Sequence, residues 1–142
     1  MRFEGRMHRE GRFWAVEVPI LGVVTQGRTR SDAYLMVADA VKALVNKDGF
    51  SVEVFPGEEG YFEVGSADFA PLTALMLKRQ RLLNGVTLAE AAKRLGSSSP
   101  NTYARYEQGR TMPSVEQLGR LLAAVSPGSD LLIATSRQKQ AA

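Results

Sequence analysis

The hydrophobic rhythm of the chain changes near residue 70. Before that point short stretches alternate apolar and polar residues with a period of two, and after it apolar residues recur every three to four positions. "FWAVEVPI", from Phe13, sends Trp14, Val16 and Val18 to one side and Phe13, Ala15 and Glu17 to the other. "RFEGRMHRE", from Arg2, sets Phe3 and Met7 against Arg2, Glu4, Arg6 and His8. "VVTQG" reads as a third strand ending at Gly27, and "SVEVF" and "YFEV" as two more, separated by the turn-rich "PGEEG". One helix interrupts the strands. Thr29 caps it with Asp32 three residues on, Ala33, Val37, Ala40, Val41 and Leu44 form its apolar stripe, and "NKDG" closes it. Trp14, Val16, Val18, Val52, Val54, Phe62 and Val64 are the expected partners of that stripe.

One helix covers only one face of a sheet. Parity places Glu4, Glu17, Glu53 and Glu63 on the other face, beside Phe13, Ala15, Phe55 and Tyr61. Three readings of that face stay open: an ordinary solvated antiparallel face, a docking surface for a basic partner, or a magnesium site for nuclease chemistry. The last needs carboxylates that converge on one point, which spacing alone does not supply.

From Pro71 the pattern is helical. "PLTALMLKRQRLLNG" opens with a proline suited to the first helical position and stops at Asn84-Gly85. "TLAEAAKRLG" carries the reciprocal capping pair Thr87 and Glu90. The next helix takes Ser99 as its cap with Pro100 at the first position, and "SVEQLGRLLAAV" begins with Ser114 and Gln117 as a similar pair. Its apolar set is Val115, Leu118, Leu121, Leu122 and Val125. Short capped helices joined by a tight Gly-Ser turn form a helix-turn-helix pattern. In the third helix of this half Tyr103 and Tyr106 face inward, while Asn101, Thr102 and Arg105 face outward. Ser98 and Ser99 stand at the helix's positive end, which attracts phosphate. Asn pairs with adenine and Arg with guanine through two hydrogen bonds each. Ser99, Asn101, Thr102 and Arg105 are therefore candidates for base edges, and Thr87, Lys93 and Arg110 for phosphates.

Charge sharpens the division. Met1–Ala70 carries 8 Lys/Arg against 11 Asp/Glu, net −3, and Pro71–Ala142 carries 10 against 4, net +6. A basic half suits a polyanion. The expected organisation is residues 1–68, a small antiparallel sheet with one covering helix in the α+β class, then an all-α module at 69–126 and a tail at 127–142. Within that tail "SPGSD" breaks the helix, "LLIAT" reads as a short strand or a helix extension, and "SRQKQAA" is expected to be mobile. The absence of cysteine removes disulfides, thiolate nucleophiles and zinc–thiolate sites. No apolar run approaches the roughly 18 residues of a membrane span. "MRFEGRMHRE" lacks the apolar core of a secretion signal, so a cytoplasmic protein without a membrane partner is expected. His8, the single histidine, sits on a charged strand face and reads as a surface residue rather than a catalytic base. There is no P-loop or "GxGxxG" phosphate loop. No catalytic residue, metal or cofactor is expected.

Two family resemblances follow from these residues. Leu77 to Val125 resembles the Xre/Cro-type helix-turn-helix, through "R-x-x-x-G-V-T" at Arg81 to Thr87, "LAEAAKRLG", "RYEQG" at Arg105 to Gly109, and Pro113. The segment from Gly96 to Gly109 is one residue longer than the usual turn and recognition helix. "GRFWAVEVPILGVVTQGRTRSDA", Gly11 to Ala33, is similar to the signature of HicB antitoxins, with Ile20 where that family has Asp. This resemblance implies a partial ribonuclease-H-like fold without activity, joined to a DNA-binding domain. It implies an antitoxin that neutralises a small HicA-type, mRNA-cleaving toxin and represses the shared operon by binding operator DNA. A toxin that grips RNA should be basic, so Glu17, Glu53 and Glu63 are the expected toxin-binding residues. A homodimer or higher homo-oligomer is expected, because one module covers only a half-site. The alternative is a free-standing repressor whose first domain senses another ligand or protein.

Overall fold

The computed structural model describes residues 1–137 and residue 141. The chain divides into two compact units, Met1–Leu72 with Thr135–Ala142, and Thr73–Ala134.

The first unit contains β1 (Arg2–Glu10), β2 (Phe13–Val18), a 3-10 turn at Pro19–Leu21, β3 (Val23–Gly27), α1 (Arg30–Val45), β4 (Glu53–Pro56) and β5 (Tyr61–Gly65). Its sheet runs β3-β2-β1-β5-β4, and every neighbouring pair is antiparallel. The alternation in the sequence decides which side is buried. Phe3, Met7, Val16, Val18, Val54, Phe62 and Val64 are buried, as are Ala33, Val37 and Val41 of α1. Tyr34 adds an edge-on contact to the Phe62 ring, with centroids 5.6 Å apart. Leu44, expected in the α1 stripe, is 41% exposed, because the buried part of the helix ends a turn earlier at Val41. Phe50, in the connection to β4, is buried instead.

Thr29 caps α1 as expected, its hydroxyl accepting from the Asp32 N–H at 3.0 Å. The Asp32 carboxylate accepts from the Arg28 N–H at 2.8 Å. Gly27 lets the first turn of α1 come directly against the end of β3, since a Cβ there would overlap the backbone of Ala33.

The opposite sheet face carries both signs of charge. Arg6 on β1 stands opposite Glu17 on one side and Tyr61 on the other, and Glu4 stands opposite Glu63. Arg2 donates to Glu63 at 3.0 Å, and its guanidinium lies 3.4 Å over the Phe55 ring. Arg2 also donates to the Ser136 hydroxyl at 2.9 Å, and that hydroxyl contacts Glu63. Within "SRQKQAA", Ser136 thus contacts two charged side chains of the sheet's outer face. Gln138–Gln140 and Ala142 lie outside the described residues. Residues 131–135, "LLIAT", form neither strand nor helix, and Leu132 and Ile133 are exposed.

Four helices follow: α2 (Phe69–Leu83), α3 (Leu88–Arg94), α4 (Asn101–Glu107) and α5 (Val115–Val125). α2 begins two residues before Pro71, expected at its first position, which makes Pro71 the third residue, still within the first turn, where no helical N–H has a partner to lose. Ser114 caps α5 by accepting from the Gln117 N–H at 3.1 Å. Leu121, Leu122, Ala124 and Val125 are buried, whereas Val115, expected inside, opens the helix at 62% exposure. An α+β domain is followed by an all-helical one.

Candidate nucleic-acid interface

Capping and a buried ion pair fix the geometry of the second unit. Thr87 and Glu90 satisfy each other's backbone: the Thr87 hydroxyl accepts from the Glu90 N–H at 3.1 Å, and the Glu90 carboxylate accepts from the Thr87 N–H at 3.3 Å. Arg94 donates to the Ala124 carbonyl at 2.7 Å, tying α3 to α5. Arg81 of α2 meets Glu107 of α4 through two bonds, Nε at 2.6 Å and Nη2 at 3.1 Å, while Nη1 donates to the Val86 carbonyl at 3.0 Å. Their side chains are only 13% and 7% exposed. The hydrogen bonds that Arg81 donates to Glu107 push its pKa above its already high value, so the guanidinium stays charged.

Tyr103 is fully buried and donates to the Leu77 carbonyl at 3.0 Å. Burial, reinforced by the nearby Glu107 carboxylate, pushes its phenol well above the ordinary tyrosine value. The folded chain keeps Tyr103 neutral, while the unfolded chain releases that proton near about pH 10. Its contribution is complete below that pH and falls as pH rises above it. Urea unfolding at pH 9 and pH 11 is expected to show a stability loss for the native chain that Tyr103→Phe reduces.

The turn before α4 differs from expectation in one detail. Ser97, not Ser99, supplies the stabilising hydroxyl: it accepts from the Ser99 N–H at 3.1 Å and lies 2.6 Å from the Thr102 hydroxyl. Pro100 precedes the helix, and Ser99 makes no side-chain cap. Three consecutive serines offered three hydroxyls, and the Gly96 turn brings the first of them to the backbone.

With Tyr103, Ala104 and Tyr106 turned inward, α4 shows solvent a polar stripe. Ser99, Asn101, Thr102, Arg105, Gln108 and Arg110 line an open concave surface of about 600 Å³. Two arginines and no acid lie among them. Asn101, Arg105 and Gln108 stand at i, i+4 and i+7, on one side of a helix. That stripe rises about 10 Å, roughly three base-pair steps. Gln108 escaped the sequence analysis, although its place one turn beyond Arg105 was the available signal.

The structure therefore brings together Ser99, Asn101, Thr102, Arg105 and Arg110 among the expected DNA-contacting residues. Ser98 is exposed in the adjoining turn, Thr87 is exposed at the start of α3, and Lys93 is exposed in that helix's last turn; none of these three lines the concavity. Thr102 is half-buried with its hydroxyl engaged by Ser97. The three carboxylates of the first unit are not gathered. Glu17, Glu53 and Glu63 lie on β2, β4 and β5, and Glu63 is paired with Arg2. Among the described residues no group of three or more His, Cys, Asp or Glu is placed to hold a metal ion. Among them, too, no helix is long and apolar enough to cross a membrane.

Residues 77–125 match the helix-turn-helix family, so the chain contains an Xre-type helix-turn-helix domain spanning the end of α2 through α5. DNA-binding transcription regulation is the class of function which that domain supports. No curated protein matches the chain.

Proposed function

We propose that this chain is a sequence-specific transcriptional repressor, with α4 as the helix that enters the major groove. The observation that carries the reading is the acid-free concave surface formed by Ser99, Asn101, Thr102, Arg105, Gln108 and Arg110 within the helix-turn-helix match. Arginine forks onto guanine and asparagine onto adenine, while Thr87 and Lys93 serve neighbouring phosphates. A dimer reads two half-sites about 34 Å apart. The test is selection of bound duplexes from a random pool. Arg105→Ala is expected to weaken binding to the selected duplex by about 1–3 kcal/mol and to relax preference at one base pair. Unchanged affinity and preference would remove Arg105 from the interface.

For the first unit the reading is an antitoxin domain that neutralises a small, basic, HicA-type RNA-cleaving protein, with Glu17, Glu53 and Glu63 as contacts and no catalysis of its own. Its support is the resemblance of Gly11 to Ala33 to the HicB signature. Co-expression with the product of an adjacent gene for a small basic protein, followed by a pull-down, tests it. A different observation favours the alternative of a repressor that senses another ligand. Arg2 and Arg6 interleave with the carboxylates, so the outer face is less anionic than a uniformly basic partner would prefer. Failure to capture the basic protein would select that alternative. Magnesium-dependent nucleic-acid cleavage lost on Glu17→Ala would replace both readings with an enzyme.

A further inference from the structure

Tyr103 and Tyr106 are both buried on the inner face of α4, yet they use their hydroxyls differently. Tyr103 spends its proton inside, on the Leu77 carbonyl. Tyr106 is 7% exposed, and its hydroxyl accepts from Arg105 Nη2 at 3.2 Å at the edge of the concave surface. The Arg105 guanidinium stands 5.0 Å from the Tyr106 ring centroid. A core position needs only apolar volume, so phenylalanine would fill the site equally well; the hydroxyl is an addition that reaches outward. An exposed arginine otherwise samples many rotamers, and ordering it on a ligand costs conformational entropy. The contact with Tyr106 engages one N–H of the guanidinium and leaves a two-donor fork for an acceptor pair such as guanine O6 and N7. Thr102 is likewise engaged, its hydroxyl 2.6 Å from that of Ser97, so hydroxyl contacts restrain two of the residues lining the concave surface.

We infer that Tyr106 is a positioning residue for sequence readout: its buried ring and hydroxyl hold Arg105 in the orientation that discriminates guanine. This rests on the DNA-binding reading above. The test uses the full chain and the duplex that the native protein enriches from a random pool, with single-base variants of it. Tyr106→Phe is expected to keep the native melting temperature and salt dependence. It should lower discrimination at the Arg105-dependent base pair by about three- to tenfold. In an Arg105→Ala background Tyr106→Phe is expected to change discrimination no further, since the two act as one unit. A core role alone would leave both the melting temperature and the base preference of Tyr106→Phe at their native values. Native discrimination in Tyr106→Phe, or a loss that persists without Arg105, overturns the inference and leaves the DNA-binding reading standing. If the native chain enriches no duplex at all, both fall.

Discussion

Glu107→Ala is expected to be the most damaging single substitution in the helical unit, costing about 3–5 kcal/mol. Arg81 would remain in place with its side chain 13% exposed, losing both bonds to Glu107 and keeping only the Val86 carbonyl. A charge stranded in this way carries a desolvation penalty that its lost partner had offset. Hydrogen exchange across residues 77–125 is the measurement, because it reads this region directly. Exchange should accelerate throughout α2 to α5 rather than only near α4, since the pair joins α2 to α4. Arg81→Met combined with Glu107→Leu should recover most of the loss, as apolar replacement of both partners removes the stranded charge. If Glu107→Ala exchanges like the native chain, the ion pair is not what holds α4 against α2.

The sheet unit has a comparable weak point without any charge. Gly27→Ala is expected to cost about 3 kcal/mol, the upper end for an overpacked site, because the obstacle is the backbone of Ala33 and not a side chain that can rotate away. Gly27 pairs across the ladder with Trp14, the single tryptophan. Tryptophan fluorescence during urea unfolding therefore follows the region the substitution disturbs, and a lowered midpoint is expected. A native midpoint would mean that α1 moves away from β3 at little cost.

Much of the architecture was legible because it follows from periodicity. A two-residue alternation in β1 and β2 selected the buried side correctly, and Thr29, Thr87 and Ser114 each cap the helix they were expected to cap. The outward placement of Asn101 and Arg105 followed from the inward placement of Tyr103 and Tyr106. Contacts between distant segments were not legible. Arg81 and Glu107 were both visible as parts of motifs, but their pairing depends on how α2 and α4 cross. Ser97 could not be chosen over Ser99 without the path of the turn. On the outer sheet face parity placed the arginines and the glutamates together, yet only the strand register shows that Arg6 faces Glu17 and that Arg2 is claimed by Glu63. Leu44 and Val115 failed because periodicity marks a side of a helix and not how far along it the core extends.

The clasp of Arg2 and Glu63 by Ser136 also orders events during synthesis. Domains tend to fold in turn as the polypeptide emerges, but the serine that finishes the sheet's outer surface is made only after residues 77–125. A nascent chain can thus assemble residues 77–125 while the first strand still waits for its contact with Ser136.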